Sequence, residues 1–237
     1  MRPIADKEYC HNRLGADFAH HLSNYDTQRR VEVLIDDFLP DEVVRGKEVL
    51  DVGCGLGWFS ARLRERGAVV TACDLGPAMV EETRRRTGCH GVVADALELV
   101  ATFGAERFDV VVSSECIEHT PDPPAAIHQM AQVLRPGGWL ALSTPNLWWY
   151  PCVRLATLMK LRPFDGYENF STWNRLRSAY RDSGLQIARE QGVHLYPFQF
   201  KLHPLSRWLD RHAQWARGLM INLCLLGQKN AERSASP

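Results

Sequence analysis

The sequence lacks an excess of charge of either sign and lacks any long apolar run. Its 237 residues carry 28 Lys and Arg against 28 Asp and Glu, so the formal net charge is zero. A chain without a net positive field has no general attraction for nucleic-acid phosphates. No apolar run approaches the ~18 residues of a membrane span, and the opening residues, MRPIADKEYCHNR, lack the apolar stretch of a signal peptide. We therefore expect a cytoplasmic protein with no transmembrane segment and no nucleic-acid partner.

Paired cysteines are also lacking. The seven cysteines are odd in number and scattered, and none forms a CxxC pair. This usage predicts free thiols rather than disulfides or a structural metal site. With 45% hydrophobic and 24% charged residues, the composition is that of an ordinary globular chain. At this length one α/β domain is a better expectation than two very small ones.

Strand-like and helix-like segments alternate from Glu48 to Ser143. The predicted strands are Glu48–Val52, Val69–Cys73, Val92–Ala94, Phe108–Ser113 and Trp139–Ser143. The predicted helices are Gly57–Arg66, Pro77–Thr87 and Pro123–Leu134. Val-rich and Leu-rich strands that alternate with helices are typical of βαβ units and a parallel sheet.

The flanking regions complete the predicted organisation. A helix over Phe18–Leu39 precedes the core, and the later elements are a helix near Thr172–Asp182, a strand at Leu185–Glu190, a helix near Leu205–Ala216 and a strand at Met220–Leu226. We expect one domain over 1–237, composed of an N-terminal helical cover (1–45), a cofactor-binding core (46–146), a lid over the acceptor (147–170), a C-terminal part of the sheet (171–228) and a polar tail (229–237).

A glycine-rich turn follows the first predicted strand in VLDVGCGLG. Gly53 and Gly55 allow a tight turn and close approach of a ligand. Asp74 ends the second strand, where nucleotide-binding α/β folds place a carboxylate for ribose hydroxyls. Trp58 stands where the dinucleotide fingerprint requires its last glycine, which disfavours NAD. The structural alternatives are a plain strand-to-helix turn, a helix-capping Asp74 and an exposed loop Asp95.

Several motifs in this order resemble the class I S-adenosylmethionine-dependent methyltransferases. They are VLDVGCGLG, ACDLG, Asp95-Ala96 and the run from Phe108 to Asn146. In detail, that run is similar to the ubiquinone-biosynthesis O-methyltransferases, because it contains E-x-x-E-H at Glu115 to His119, then Pro-Asp-Pro and Arg-Pro-Gly-Gly. The N-terminal HLSNYDTQRR departs from that family's pattern, so its quinone-precursor substrate is not carried over.

The resemblance implies a Rossmann-like fold, with a mostly parallel seven-stranded sheet and helices on both faces. It implies S-adenosylmethionine as cofactor, a small-molecule acceptor, and roles for residues of the core. The implied cofactor residues are Gly53, Gly55 and Gly57 around the methionine part, Asp51 beneath them, Asp74 and Leu75 at the ribose, Asp95 and Ala96 at the adenine, Ser114 after the fourth strand, and Arg30 over the carboxylate.

The acceptor chemistry is expected after the fourth strand. Methyl transfer to a hydroxyl requires removal of one proton, and His119 is the preferred base because its ordinary pKa is about 6.5. Glu115 and Glu118 are its expected partners, or the three side chains hold a divalent ion such as Mg²⁺. The structural alternative is that Glu118 and His119 support the turn into the next helix.

The lid prediction rests on aromatic residues that interrupt the sheet pattern. They are Trp148, Trp149, Tyr150, Phe164 and Tyr167. The alternatives are a peripheral membrane contact through Val153–Arg162, or core packing.

O-methylation of a phenol, sugar or other hydroxyl is the preferred activity. N- or C-methylation, a non-catalytic S-adenosylmethionine-binding regulator and a nicotinamide-dependent oxidoreductase are the alternatives, and the oligomeric state is open.

Overall fold

The computed structural model describes residues 24–159, 167–196 and 202–231. The beginning of the predicted Phe18–Leu39 helix, Cys10, Phe164, part of the predicted lid and most of the predicted tail lie outside these ranges. The described cysteines are free thiols, as expected: Cys54, Cys73, Cys89, Cys116, Cys152 and Cys224. Within the described ranges, no helix has the length and apolar character needed to span a membrane.

The centre of the fold is a seven-stranded sheet. Its strands are β1 (Glu48–Val52), β2 (Val69–Asp74), β3 (His90–Val93), β4 (Phe108–Ser114), β5 (Leu134–Pro145), β6 (Leu185–Val193) and β7 (Asn222–Lys229). Their order is β3-β2-β1-β4-β5-β7-β6. The pairings among β1 to β5 are parallel, and β7 runs antiparallel to both β5 and β6. The predicted seven-stranded, mostly parallel sheet is confirmed.

Helices cover both faces of this sheet. They are α1 (Asn24–Val31), which continues as a π-helical segment (Glu32–Asp37), α2 (Trp58–Glu65), α3 (Pro77–Thr87), α4 (Leu99–Phe103), α5 (Pro123–Val133), α6 (Tyr150–Leu158), α7 (Trp173–Asp182) and α8 (His203–His212). Short 3₁₀ segments lie at Asp41–Val43, Ile117–His119, Leu147–Trp149 and Gln214–Leu219.

The strand sequences explain why both faces are covered. Side chains alternate between the two faces of a strand, and in the central strands both sets are apolar. In β4, Val111 packs with the helices α4, α5 and α7, whereas Val110 and Val112 pack with the π-helical segment and α2. The sheet therefore divides the buried apolar residues into two clusters and requires a helical layer on each side.

The structure differs from the sequence prediction mainly at the ends of elements. The strand predicted at Trp139–Ser143 is β5, which begins at Leu134. Leu134 pairs with Phe108 and Trp139 with Val110, so the Arg-Pro-Gly-Gly run bulges out between these pairs. The helix predicted to end at Ala216 ends at His212, and a 3₁₀ segment follows it. The last strand extends to Lys229, whose Nζ donates to the Leu134 carbonyl over 2.7 Å.

We expect Gly227→Ala to be destabilising. A Cβ on Gly227 would lie 2.7 Å from Cδ1 of the fully buried Tyr180 ring. Overpacking of this kind costs about 1–3 kcal/mol of the free energy of unfolding, measured by urea denaturation. Gly218→Ala is the matched control because nothing lies within 4 Å of its added Cβ. Equal stability of the two variants would contradict the tight packing of α7 on β7.

Candidate cofactor and acceptor site

The glycine turn after β1 lies where the strand order reverses, between β1 and β4. Ligands of open α/β sheets bind outside the carboxyl ends of strands at such a point. Gly53 has φ +73° and Gly55 has φ +47°, a backbone region that L side chains rarely adopt. A Cβ on Gly53 would lie 2.7 Å from both Cβ and Sγ of Cys116, just beyond β4. Gly53 therefore permits close contact between the two strand ends.

Asp74 holds this turn in place from the end of β2. Its Oδ2 accepts the Gly55 amide over 3.1 Å, and its Oδ1 accepts the Gly76 amide over 2.9 Å. This is a turn contact and not a helix cap, because Gly76 is itself the N-cap residue of α3 and the helix has no side-chain cap. The same carboxylate also reaches the glycine turn, so it lies between the β1 and β2 loops where a ribose-bearing ligand is expected.

The other sides of the turn are shaped by α3 and the β3 loop. Thr83 Oγ1 donates to the Gly55 carbonyl over 2.8 Å, and a Cβ on Gly57 would lie 3.1 Å from the Thr83 side chain. No atom of the residues that the structure describes lies within 4 Å of a Cβ added to Gly55, so these residues leave space beside it. The turn therefore combines a fixed backbone with an open side, as a ligand cradle requires.

Asp51, Leu75, Asp95 and Ala96 lie at or just beyond the carboxyl ends of β1, β2 and β3. Asp51 is buried at the end of β1 and accepts a 2.5 Å hydrogen bond from the Ser60 hydroxyl. Burial raises the pKa of the Asp51 carboxyl to about 6, although the Ser60 hydrogen bond favours the ionised form. Leu75 is half-buried directly after β2. Asp95 Oδ1 accepts the Leu97 amide over 2.9 Å, and Ala96 is buried.

Arg30 connects α1 to the end of β4. Its Nη1 donates to Ser114 Oγ over 2.6 Å, and its Nη2 donates to Asp26 Oδ2 over 2.8 Å. Two predicted cofactor residues, one in the N-terminal cover and one in the core, are therefore in contact. Burial alone would raise the pKa of the Asp26 carboxyl, but the Arg30 guanidinium and the contact with His194 hold it well below its usual range. His194 Nε2 lies 2.9 Å from Asp26 Oδ1.

A directed chain of hydroxyl groups runs from Arg30 to Glu115. Ser143 Oγ donates to Glu115 Oε1 over 3.0 Å, and Ser114 Oγ lies 2.8 Å from Ser143 Oγ. Because the single Ser143 proton is used on Glu115, Ser114 donates to Ser143. Burial raises the pKa of the Glu115 carboxyl to about 7, with Arg30 opposing the shift. Glu115 also has φ +53°, which turns the chain sharply after β4.

Glu118 and His119 lie in the 3₁₀ segment that follows. Glu118 is 1% exposed, and its Oε2 accepts from the Thr144 hydroxyl over 3.2 Å. His119 Nδ1 lies 3.0 Å from the Tyr167 carbonyl, so Nδ1 carries the proton of that hydrogen bond. His119 Nε2 lies 3.9 Å from Glu118 Oε1. The predicted support of the turn is therefore present, and Nε2 lies on the side of Glu118.

The predicted metal site receives no support from this arrangement. Among residues 24–159, 167–196 and 202–231, no group of three or more His, Cys, Asp or Glu residues is placed to hold a metal ion. The physical reason is that the three side chains are drawn to different partners. Glu115 bonds to Ser143, Glu118 to Thr144 and His119 to Tyr167.

The segment predicted as a lid leaves the sheet and returns to the same place. An isolated bridge pairs Asn146 with Ser171, at its two ends. On its return the segment contacts the acceptor region, because the Asn169 amide donates to the Glu118 carbonyl over 2.8 Å. Tyr150 packs edge-on against Phe170, with ring centroids 5.5 Å apart. The described ends of this excursion (147–170) thus lie together, and its returning end contacts the segment of the predicted base.

Sequence reasoning missed three contributors to the site. Asp26 could have been predicted, since its spacing of four residues from Arg30 on a helix is typical of an ion pair. Cys116 and Ser143 gave no local signal, because their roles depend on which strand ends the sheet brings together.

Comparison with known proteins identifies the family of the chain. Residues 19–210 match the family model described as "Methyltransferase domain". The chain belongs to this family. It is 31% identical to the ubiquinone biosynthesis O-methyltransferase of Pseudomonas paraeruginosa over 78% of this chain and 80% of the relative. It is 36% identical to the enzyme of the same name from Xanthomonas axonopodis pv. citri, over 68% of this chain and 72% of that relative.

The structural comparison supports the same fold. A methyltransferase of Thermotoga maritima that depends on S-adenosylmethionine has a TM-score of 0.70 at 15% identity, covering 94% of this chain and 99% of that one. Together with the family match and the relatives above, this fold shows that the chain is an S-adenosylmethionine-dependent methyltransferase of class I, as the sequence motifs predicted.

We expect Asp74→Ala to weaken S-adenosylhomocysteine binding about ten- to a hundred-fold, because charge-assisted hydrogen bonds contribute about 1.5–3 kcal/mol. Titration calorimetry measures the change. Asp109→Ala is the matched control, since Asp109 also accepts a backbone amide, from Glu48 over 2.9 Å, but at the opposite edge of the sheet. Equal affinity of the two variants would contradict the role of Asp74.

We expect Asp51→Asn to reduce the pH dependence of stability. Because the folded pKa of about 6 exceeds the ordinary value of 3.8, the contribution of Asp51 is complete below pH 3.8 and is lost as the pH rises through 6. Between pH 5 and pH 7 the wild type should lose about 1 kcal/mol more of its free energy of unfolding than the variant. Urea denaturation checks this, with the exposed Asp36→Asn as control. An unchanged pH dependence would show that Asp51 ionises normally.

Proposed function

We propose that this methyltransferase transfers a methyl group to a hydroxyl oxygen of a small aromatic acceptor, of the phenol or quinone-precursor class. The names of the relatives, ubiquinone biosynthesis O-methyltransferase, support oxygen as the acceptor atom. The observation that carries the proposal is the hydrogen bond from His119 Nδ1 to the Tyr167 carbonyl. Because Nδ1 is the donor in this bond, Nε2 is the ring nitrogen that we assign as the proton acceptor.

His119 is suited to this role by its surroundings. The ring sits in the segment after β4, close to the carboxyl ends of the strands and three residues after Cys116, which touches the glycine turn. When Nε2 takes a proton, the imidazolium lies 3.9 Å from Glu118 Oε1. Glu118 is buried and held by Thr144, so its carboxylate is positioned to stabilise that charge.

Bound S-adenosylmethionine supplies a methyl carbon that is electrophilic because it is attached to a sulfonium. In the proposed reaction, the acceptor oxygen forms a bond to that carbon while His119 Nε2 takes the hydroxyl proton. Removal of the proton leaves a neutral ether, and the bond to sulfur breaks with its electron pair. The chain contributes alignment of the two reactants and a base, which are the main requirements of displacement at carbon.

The cradle described above supports the cofactor residues that the resemblance implied. We assign Gly53, Gly55 and Gly57 to the methionine part, supported by the open space beside Gly55 and the fixed turn. Asp74 and Leu75 are assigned to the ribose, and Asp95 with Ala96 to the adenine. Asp51 supports the turn from below.

Arg30 and Ser114 are assigned to the carboxylate end of the cofactor. Their mutual hydrogen bond of 2.6 Å places a buried cation at the end of β4, beside the strand that bears the glycine turn. A guanidinium there suits a carboxylate ligand. Glu115 shares this network, so we assign it to positioning rather than to metal binding.

The excursion at 147–170 is proposed to border the acceptor. Trp149 is anchored by a 2.9 Å hydrogen bond from Nε1 to the Leu219 carbonyl, and Tyr167 is tied to His119 through its carbonyl. Indole and phenol rings offer planar apolar contact, as an aromatic acceptor requires.

We expect His119→Ala to lower kcat by about 10² to 10⁴ while S-adenosylhomocysteine affinity stays unchanged, because a general base contributes to the chemical step alone. The assay is S-adenosylhomocysteine release with a panel of phenols and quinone precursors. His128→Ala is the control, since His128 is exposed on α5.

The same assay separates the alternatives. Loss of activity with a chelator and its recovery with Mg²⁺ would assign Glu115, Glu118 and His119 to a metal instead. Turnover with amines but with no hydroxyl acceptor would replace O-methylation by N-methylation. Cofactor binding without turnover of any acceptor would indicate a regulatory protein.

A further inference from the structure

His194 is a fully buried histidine that the proposed methyl transfer does not use. It follows β6 directly, and its φ of +63° lies in the left-handed region that L side chains rarely adopt. Its carbonyl accepts the Ile221 amide over 3.2 Å, and its ring lies beside Tyr25, with ring centroids 5.7 Å apart. The fold thus holds an imidazole in a costly backbone conformation against the start of α1.

The polar partner of His194 is Asp26. His194 Nε2 lies 2.9 Å from Asp26 Oδ1, and because an ionised carboxylate only accepts hydrogen bonds, Nε2 is the donor. The same carboxylate accepts from Arg30, from Nε over 3.3 Å and from Nη2 over 2.8 Å. Asp26 is therefore held by donors on two sides, one at the end of β6 and one a helical turn further along α1.

Asp26 in turn fixes the direction of the Arg30 guanidinium. One edge of this planar group, Nε and Nη2, is used on Asp26, so Nη1 is left for other acceptors. Nη1 donates to Ser114 Oγ over 2.6 Å at the end of β4, where we assign the cofactor carboxylate. The orientation of the cation at the ligand site thus depends on a carboxylate that His194 helps to hold.

We propose that His194 is a positioning residue for the binding of the cofactor carboxylate. By holding Asp26, it keeps the Arg30 guanidinium in one orientation before the ligand arrives, so less side-chain freedom is lost on binding. The inference rests on the proposed assignment of Arg30, and it adds a residue that follows the edge strand β6. A histidine that only packed between β6 and α1 would affect ligands with and without a carboxylate alike.

Calorimetry of the full chain with two ligands tests the proposal. S-adenosylhomocysteine carries the carboxylate, whereas 5′-methylthioadenosine keeps the nucleoside and lacks the amino-acid part. His194→Met and His194→Gln remove the same ring and introduce side chains of similar shape, but only Gln supplies an N–H donor. His194→Met should weaken S-adenosylhomocysteine binding about three- to thirty-fold and leave 5′-methylthioadenosine binding unchanged. His194→Gln should bind both ligands with wild-type affinity.

His203→Met is the matched control. The His203 ring stacks on Tyr25 with centroids 3.8 Å apart, so its removal disturbs the same aromatic group as removal of the His194 ring. Neither affinity should change in this control. Equal S-adenosylhomocysteine affinities of His194→Met and His194→Gln, or an equal loss for both ligands in His194→Met, would overturn the proposal in favour of packing alone.

Two further variants separate the proposal from the Arg30 assignment on which it rests. Asp26→Asn should show the same selective loss, and adding His194→Met to it should weaken S-adenosylhomocysteine binding no further, since both act through Arg30. Additive losses would overturn the positioning role. A selective loss in Arg30→Gln without one in His194→Met would overturn it as well and leave the Arg30 assignment intact. Unchanged S-adenosylhomocysteine affinity in Arg30→Gln would overturn that assignment, and the proposal with it.

Discussion

The arrangement of the site depends on the Asp74 carboxylate, which accepts one amide from the β1 turn and another from the start of α3. Through Gly55 and Gly76 it fixes two loops that carry no regular structure of their own. The close approach of Gly53 to Cys116 adds the end of β4 to the same cluster. Three parallel strand ends thus meet in a small volume, and the helices behind them bury the apolar faces of the sheet.

The burial of Arg30 requires a polar network between α1 and the end of β4. A buried cation is costly unless it is paired and its donors are used. Asp26 supplies the pairing charge, and Ser114 supplies a further acceptor. The Ser114 hydroxyl in turn donates a hydrogen bond to Ser143, which donates to Glu115. Because Arg30 lies on α1, this network also holds the N-terminal helix against the sheet. The N-terminal cover and the strand ends are therefore coupled electrostatically.

Much of this fold follows from local patterns in the sequence. The strand β1, the glycine turn and Asp74 were predicted because the strand is apolar on both faces and the turn needs residues with positive φ. Elements outside the core were less predictable. α6 has no buried residue, and the residues that α8 buries are polar, so neither helix has the buried apolar stripe that marks a helix in a sequence.

The site itself was predicted in part. Glycines and carboxylates at strand ends carry a local signal, but contacts between strand ends do not. The close approach of Cys116 to Gly53 and the hydrogen bond from Ser114 to Ser143 depend on strand order, which local sequence patterns do not specify. The metal prediction has no support in the described residues for a related reason. Glu115, Glu118 and His119 are close along the chain, but their side chains bond to different partners, namely Ser143 and Thr144 on β5 and the Tyr167 carbonyl.

The most direct test of the cofactor site is an amide NMR titration with S-adenosylhomocysteine. The amides of Gly53, Gly55, Gly76 and Leu97 should shift together and saturate, because they surround the cradle at the carboxyl ends of β1 to β3. Those of Gly104 and Gly137, near the opposite edge of the sheet, should stay in place. Saturable shifts at Gly104 and Gly137 without shifts at Gly53 and Gly55 would place the ligand elsewhere and contradict the account.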